Sequence, residues 1–236
     1  MNLLYFCLQS SFREYGRQFC RCVVARHPVK TTRALLDCVS CDFARDWVCT
    51  PGREPRMGRK GAIVAAGFCL KPLDLPCPSG RANHDCLCLE RITTAASELP
   101  VPCRTCAIRN IGNLALRSGA AFYIMTSAKD ILWDLYVPTL EEERFSDGLF
   151  ILCRYSFQPF VLGLLASGLR ARLVPLEQGD CRDYLTWLRA DRGLKDEQTR
   201  VSEASWRGIQ ELLGQGMALG SSAQCSRRGN IFFPGD

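Results

Sequence analysis

The chain has 236 residues, of which 47% are hydrophobic and 23% are charged, a balance typical of soluble globular proteins. It carries a formal net charge of +6 and fifteen cysteines, yet it is too long and too rich in apolar runs for a small disulfide scaffold. No apolar run approaches the ~20 residues that a membrane-spanning helix needs. We therefore expect no membrane span.

The positive charge is concentrated in the first quarter of the chain. Residues 1–60 contain 11 Lys and Arg against 5 Asp and Glu, whereas residues 61–236 contain 19 of each kind. The arginines are scattered among cysteines and form no periodic stripe with interleaved aromatic residues, so nucleic-acid binding is not expected. We divide the chain into a basic, cysteine-rich region over residues 1–60 and an α/β domain over residues 61–236.

The amino-terminal stretch MNLLYFCLQSSFREYG does not resemble a secretory signal. It has no basic segment ahead of its apolar run and no small-residue cleavage site. In a reducing compartment, clustered cysteines are more often metal ligands or reactive thiols than disulfides. We therefore expect a cytoplasmic protein.

Residues 1–60 predict little regular structure. FREYGRQFCRCVVARH is compatible with either a strand or a short helix, whereas TTRALLDCVSCDFARDWVC has apolar residues at helical spacing. The stretch TPGREPRMGRKG that follows is a loop or linker by its Pro, Gly and Arg content. We expect this whole amino-terminal region to be largely irregular.

The next segment begins with an apolar run, GAIVAAGFCL, of the length of a core element. A cysteine-rich loop follows it, within a span that we bound at residues 69–106. RITTAASELP predicts a short helix that ends at Pro100 and Pro102, because the residue before a proline disfavours helical backbone.

From residue 103 onward, helical and strand patterns alternate. Apolar spacing, caps and β-branched runs predict the helices CAIRNIGNLALRSG, AKDILWDLYVPTLEEER with a break near Pro138, SFQPFVLGLLASG, DCRDYLTWLRADRG and KDEQTRVSEASWRGIQELLGQGMALG. They predict the strands AAFYIMTS, GLFILC and LRARLVPLE, followed by an irregular tail.

This alternation predicts an α/β fold with a parallel, Rossmann-like sheet and flanking helices. Right-handed crossovers place the carboxyl ends of all parallel strands on one edge of the sheet, where open α/β sheets bind their ligands. Any functional group of cysteines in this half of the chain is therefore expected at that edge.

Four cysteines fall at positions that this layout would bring together. Cys103 and Cys106 form a C-x-x-C motif ahead of a predicted helix, Cys153 ends a strand, and Cys181 follows the next strand. Four thiolates suit an iron–sulfur cluster or tetrahedral zinc. Because two of the four come singly from distant strand ends, the pattern favours a cluster of the 4Fe–4S type, with zinc as the alternative.

Two further cysteine groupings are candidate metal ligands. CPSGRANHDCLC contains Cys77, His84, Cys86 and Cys88, which could complete the first site or form a second one. In the amino-terminal region, Cys38 and Cys41 form a second C-x-x-C motif inside a helical pattern. The neighbouring cysteines that could join it are Cys20, Cys22 and Cys49.

Evidence for other chemistry is sparse. The chain has no Gly-rich phosphate-binding motif, and with only His27 and His84 a Cys–His nucleophile pair is not expected. Four charged residues near the predicted edge could serve acid–base or anion-binding roles, although solvated loop charges or helix caps explain them as well. They are Lys129, Arg154, Glu177 and Asp180.

From VPCRTCAIRNIG onward, over roughly residues 100–185, the chain resembles the family called domain of unknown function 116. The resemblance rests on the C-x-x-C-A-I run, LALRSGAAFYIMTS, CRYSFQPFVLGL and PLEQGDC. It implies a cysteine-rich α/β protein that binds an iron–sulfur cluster or a metal through Cys103, Cys106, Cys153 and Cys181. Where the family carries a further cysteine this chain has Pro100, which leaves room for a ligand from Cys77, Cys86 or Cys88.

The sequence therefore predicts an iron–sulfur protein that either transfers electrons or serves a redox or cofactor-assembly enzyme. It also predicts that this protein has a protein redox partner. Two alternatives remain open. The first is a zinc-stabilised structural or interaction module, and the second is an enzyme that depends on a cluster or on a reactive thiol.

Overall fold

The computed structural model describes residues 5, 8–9, 13–52, 54–90, 99–214 and 225–235. Its strands are β1 Val48–Cys49, β2 Ala62–Gly67, β3 Ala121–Met125, β4 Asp147–Leu152, β5 Arg170–Pro175, β6 Cys225–Arg228 and β7 Ile231–Pro234. Its helices are α1 Glu14–Phe19, α2 Pro28–Val39, α3 Leu87–Glu90, α4 Val101–Arg104, α5 Ala107–Arg117, α6 Ala128–Ile131, α7 Val137–Glu142, α8 Phe157–Ser167, α9 Tyr184–Asp191 and α10 Glu203–Gly214.

The described strands form one seven-stranded sheet in the order β1-β5-β4-β2-β3-β7-β6. The central strands β5, β4, β2 and β3 are parallel to one another. At the two edges, β1 and the β6–β7 hairpin pair antiparallel. The predicted α/β class and its flanking helices are confirmed. The sheet is mixed and not wholly parallel, because antiparallel strands from residues 48–49, within a stretch of helical apolar pattern, and from the tail predicted to be irregular pair with its two edges.

Helices cover both faces of the sheet. On one face, α5 and α10 pack on β2 through Ile111, Ile209 and Val64. On the other face, the helices that follow β3 and β4 pack through Leu135 and Val161. β2 and β4 are neighbours in the sheet, but the chain leaves β2 towards one face and leaves β4 towards the other. The segments that follow the two strands therefore diverge and leave a crevice. Such a crevice is the usual ligand position in an open α/β sheet.

The first sixty residues contain more regular structure than expected. α2 packs against α8, where the Sγ atom of Cys38 lies 3.5 Å from the carbonyl oxygen of Gln158. β1 extends the sheet by pairing Val48 with Leu173 of β5. Within the described residues, this region is therefore largely helical, and it lies against the parallel sheet.

Two other differences from the predicted elements lie in the second half of the chain. The helical segment over residues 128–142 continues past Pro138, because a π-helical turn, Leu132–Tyr136, precedes the proline and Pro138 lies in the first turn of α7. The tail forms the β6–β7 hairpin. Residues 91–98 of one predicted helix and 215–220 of another lie outside the described residues.

The remaining helices and strands of the second half lie close to where the sequence predicted them, except that α10 begins at Glu203 and residues 195–202 of the predicted helix are not helical. α8 ends at Gly168, which adopts the left-handed conformation with φ of 81° that the predicted glycine stop requires. None of the described helices has the length and apolar character needed to cross a membrane.

Candidate functional site

The four cysteines predicted to share one site lie in two groups. Cys103 and Cys106 face the cysteine-rich loop and α3, in a cluster that we call the five-cysteine group: Cys77, Cys86, Cys88, Cys103 and Cys106. Cys153 and Cys181 lie at the strand edge with a third residue, in a cluster that we call the edge thiols: Cys69, Cys153 and Cys181.

The five-cysteine group joins three segments of the chain. The thiols of Cys88 and Cys103 are hydrogen-bonded to each other, and Cys106 lies close enough to Cys77 and Cys88 for their charged forms to repel. Cys86 interacts in the same way with Cys106 and Cys88. All but the half-buried Cys77 are buried. The loop of residues 77–86, the short helix α3 and the α4–α5 turn thus bring their thiols together.

Burial keeps three of these thiols protonated, those of Cys86, Cys103 and Cys106. It raises the pKa of Cys86 to about 12, with further contributions from Cys106 and Cys88. It also raises the pKa of Cys103 well above the ordinary range, and that of Cys106 in spite of hydrogen bonds from backbone N–H groups at the start of α5. Near neutral pH Cys86, Cys103 and Cys106 are therefore neutral thiols, which a metal ion could bind only by displacing protons.

A buried lysine stands beside the five-cysteine group. The Nζ atom of Lys71 donates to the carbonyl oxygens of Gly80 (2.9 Å), Asn83 (3.0 Å) and Asp85 (2.8 Å), and to Oδ1 of Asn83 (2.7 Å). The loop therefore wraps around one ammonium group. Burial lowers the pKa of Lys71, while nearby Cys77, Cys86, Asp85 and Cys106 favour its charged form.

As arranged in the described part of the chain, no group of three or more His, Cys, Asp or Glu side chains could hold a metal ion. The chemistry of the five-cysteine group suits a soft metal, since thiolates select iron–sulfur clusters, zinc and copper. Its donor atoms are of the right kind, but their present positions do not form a metal site.

His84, a predicted ligand, is engaged within the protein. Its Nδ1 atom lies 2.8 Å from the carbonyl oxygen of Ile124, and its Nε2 atom lies 3.0 Å from Oγ1 of Thr126. Its ring also stacks on Tyr123. Both nitrogens are occupied, so His84 fastens the cysteine-rich loop to the carboxyl end of β3.

Cys38 and Cys41 lie at the carboxyl end of α2 and make local contacts. Besides the contact of Cys38 with α8, the Sγ atom of Cys41 lies 3.5 Å from the carbonyl oxygen of Asp37. Burial, with contributions from Asp37 and Cys49, raises the pKa of Cys41 to about 11. Of the three other cysteines considered with them, Cys20 and Cys49 are exposed and Cys22 is buried in the core.

The edge thiols lie where the sheet opens. Cys69 comes two residues after β2, Cys153 directly follows β4, and Cys181 follows β5 by six residues. They line a cavity of ≈ 120 Å³ in the crevice between β2 and β4. Most of the cavity wall is apolar and includes Met125, Tyr136, Leu152, Phe160, Leu176 and Trp187.

Cys153 and Cys181 form a hydrogen-bonded pair. The Sγ atom of Cys153 lies 3.1 Å from Oγ of Ser156, and the Nζ atom of Lys195 lies 3.7 Å from Sγ of Cys181. The hydrogen bond from Cys181, aided by Ser156 and Lys195, lowers the pKa of Cys153 to about 6. The same hydrogen bond, together with burial, raises the pKa of Cys181. The two sulfurs therefore share one proton near neutral pH, with the negative charge on Cys153.

Cys69, the third edge thiol, is in a different state. Burial raises its pKa, although the Lys195 ammonium group and a hydrogen bond with the Thr199 side chain act in the opposite direction. Cys69 therefore stays a neutral thiol beside the charged pair.

The charged residues considered near this edge take part in ordinary surface contacts. Lys129 pairs with Glu14 at 2.9 Å, and Arg154 donates to the carbonyl oxygens of Phe43 and Arg45. Asp180 lies 3.9 Å from Arg182, and the exposed Glu177 bonds to residue 200 through its backbone N–H. These contacts explain the positions of the four residues, so no chemical role is needed to account for them.

Sequence reasoning missed Cys69, Lys71 and Lys195. Cys69 could have been found, since it ends the apolar run GAIVAAGFCL and so follows a strand in the same way as Cys153. Neither lysine belongs to a recognisable sequence motif. Their importance comes from loops that fold back onto the sheet edge.

No family model matches the chain, and neither a curated protein nor a solved structure matches it. The resemblance to the domain of unknown function 116 family therefore stays a prediction.

Proposed function

We propose that the protein binds an iron–sulfur cluster through ligands from the five-cysteine group, within a Rossmann-like fold and in the reducing cytoplasm. The observation that carries the proposal is the convergence of five thiols from three chain segments beside the buried ammonium group of Lys71. This ligand set replaces the predicted one, since it keeps Cys103 and Cys106 but takes its other members from the cysteine-rich loop and α3.

The number and surroundings of the thiols support the proposal. A cluster needs four thiolate ligands, and this group offers five. A thiolate-bound cluster is an anion, and a buried cation lowers the cost of placing negative charge in the interior. Lys71 is such a cation, and its charge interacts with Cys77, Cys86 and Cys106. Binding would require the thiols to lose their protons and their sulfur atoms to move towards a common centre.

Zinc is the other metal that the five-cysteine group could bind, but the loop that carries part of this group does not need a structural ion. Structural zinc contributes folding energy to irregular loops that lack other support. Here the loop of residues 77–86 is already held by Lys71 and by His84. A cluster that transfers electrons to a protein partner, or that serves a redox or cofactor-assembly enzyme, therefore explains the cysteines better than a structural ion does.

The test is anaerobic reconstitution with ferrous iron and sulfide, followed by metal and sulfide analysis, absorption and EPR spectroscopy. We expect iron and sulfide in equal amounts in the wild-type chain and a strong loss of both in Cys86→Ser and Cys106→Ser. Cys20→Ser, which removes an exposed thiol outside both groups, is the matched control and should load fully. Stoichiometric zinc without sulfide, or no bound metal at all, would contradict the proposal.

A further inference from the structure

We propose that Cys153 and Cys181 are a redox-active dithiol that reduces small apolar disulfides bound in the cavity between β2 and β4. This role is separate from metal binding by the five-cysteine group. It assigns to the strand edge a thiol–disulfide exchange site with its own substrate pocket.

The first argument is the placement of the two sulfurs. They follow neighbouring parallel strands, and their thiols are already hydrogen-bonded to each other. Both residues line the cavity, but Cys153 is half-buried whereas Cys181 is buried. An incoming disulfide would therefore meet Cys153 first, and Cys181 is positioned to attack second.

The second argument is the local charge. The Cys181 thiol hydrogen-bonds with Cys153, the Ser156 hydroxyl lies 3.1 Å from the Cys153 Sγ atom, and the Lys195 ammonium group lies 3.7 Å from the Cys181 Sγ atom. Cationic neighbours and hydrogen-bond donors favour the thiolate, which is the attacking form in disulfide exchange. Cys69 belongs to the same crevice, but burial raises its pKa, so it is a neutral thiol and not the attacking one.

The third argument is the cavity itself. Its volume of ≈ 120 Å³ has room for about ten water molecules, which corresponds to a small organic molecule rather than a peptide chain. The wall is formed by aromatic and aliphatic side chains, with Lys195 and Asp191 as charged members. Such a wall favours a disulfide carried on an apolar body and disfavours a multiply charged one, because burying unpaired charge is costly.

The exchange balances with groups on the chain. The Cys153 thiolate attacks one sulfur of the substrate, the substrate S–S bond breaks, and its second sulfur leaves as a thiolate that takes the proton from Cys181. The Cys181 thiolate then attacks the Cys153 sulfur. This forms the Cys153–Cys181 disulfide and releases the first substrate sulfur as a thiolate, which takes a proton from water. A small dithiol reductant regenerates the pair by the reverse exchange.

The test uses the metal-free full chain under anaerobic conditions, with lipoamide as the apolar disulfide and glutathione disulfide as the charged one. Mass spectrometry should locate a Cys153–Cys181 disulfide after reaction with lipoamide, which should react about tenfold faster than glutathione disulfide. Cys181→Ser should trap a mixed disulfide on Cys153, and Cys153→Ser should lose the reaction. Circular dichroism on each variant verifies folding.

The control is Cys20→Ser, which removes an exposed thiol far from the strand edge in sequence and should react as the wild type does. If Cys181→Ser does not fold, Cys181→Ala and direct disulfide mapping of the wild type give the same answer. Oxidation at other cysteines, equal rates with the two disulfides, or full activity in Cys153→Ser would overturn the proposal.

Discussion

The Nζ atom of Lys195 lies 3.7 Å from the Sγ atom of Cys181, and the Cys181 thiol is in turn hydrogen-bonded to Cys153. The Lys195 ammonium group thus lies beside two sulfur atoms that share one proton. Cys181 follows β5 and Cys153 follows β4, so this relationship depends on the parallel sheet and is not local in sequence.

The first prediction concerns the pH dependence of Cys153 alkylation. Only the thiolate reacts with iodoacetamide, so the rate should rise with pH and reach half its plateau near pH 6, the lowered pKa of Cys153. Cys181, whose pKa is raised, should remain unlabelled over the same range. Peptide mass spectrometry of timed reactions measures both. A midpoint near that of an ordinary thiol would contradict the assignment.

The second prediction removes the cation. Lys195→Met should shift the midpoint of Cys153 alkylation upward by about one pH unit, so that the rate below the midpoint falls about tenfold. The reason is that the thiolate loses a favourable charge interaction while the thiol is unaffected. Lys30→Met, which removes an exposed lysine from α2, should leave the profile unchanged. An equal effect of both variants would mean that Lys195 acts only through net charge.

The third prediction concerns the lysine within the cysteine-rich loop. Lys71→Met should destabilise the fold by about 3 kcal/mol, because it leaves the buried acceptors around Nζ without their charged donor. Urea unfolding measures the loss, and amide hydrogen exchange should show faster opening of residues 77–86. Lys30→Met again serves as the control. Unchanged exchange in the loop would refute the role assigned to Lys71.

The fourth prediction concerns the buried carboxylate at the start of β4. Asp147 accepts hydrogen bonds from Arg59 at 2.5 Å, Arg170 at 2.9 Å and Ser146 at 2.7 Å. Burial alone would raise its pKa, but these hydrogen bonds outweigh that effect and lower it. Asp147→Asn should therefore cost about 3 kcal/mol at neutral pH.

The lowered pKa of Asp147 also sets the pH range of this stabilisation. The contribution is fully present above 3.8, the ordinary pKa of the carboxyl group, and is lost as pH falls through the lower folded-state value. The difference between wild type and Asp147→Asn in urea unfolding should therefore shrink in acid. A difference that stays constant down to pH about 2 would show that the carboxylate charge is not the cause.

Much of the fold could be predicted from the second half of the sequence. Apolar runs such as GLFILC are buried on both faces of a parallel strand, and helices such as α8 end at the expected glycine. The β6–β7 hairpin could not be predicted, because CSRR is polar and exposed and is fixed only by pairing with β7. The helical character of residues 13–39 depends in part on packing against α8, which the sequence does not reveal.

The candidate site could be predicted only to the level of the sheet edge. Topology correctly places Cys153 and Cys181 after neighbouring strands, and Cys103 and Cys106 in the connection from β2 to α5. It does not determine which thiols meet, since that depends on a loop held in place by Lys71 and His84. Hydrogen bonds from side chains to distant carbonyl groups leave no periodic signal in the sequence.

The central claim is that the cysteines divide into a metal-binding group and a separate redox pair. The most direct measurement is the iron and sulfide content of two double variants after identical anaerobic reconstitution. Cys153→Ser/Cys181→Ser should load as fully as the wild type, whereas Cys86→Ser/Cys106→Ser should lose most of its iron and sulfide. Loss of the cluster in the first variant, with full loading in the second, would contradict the account.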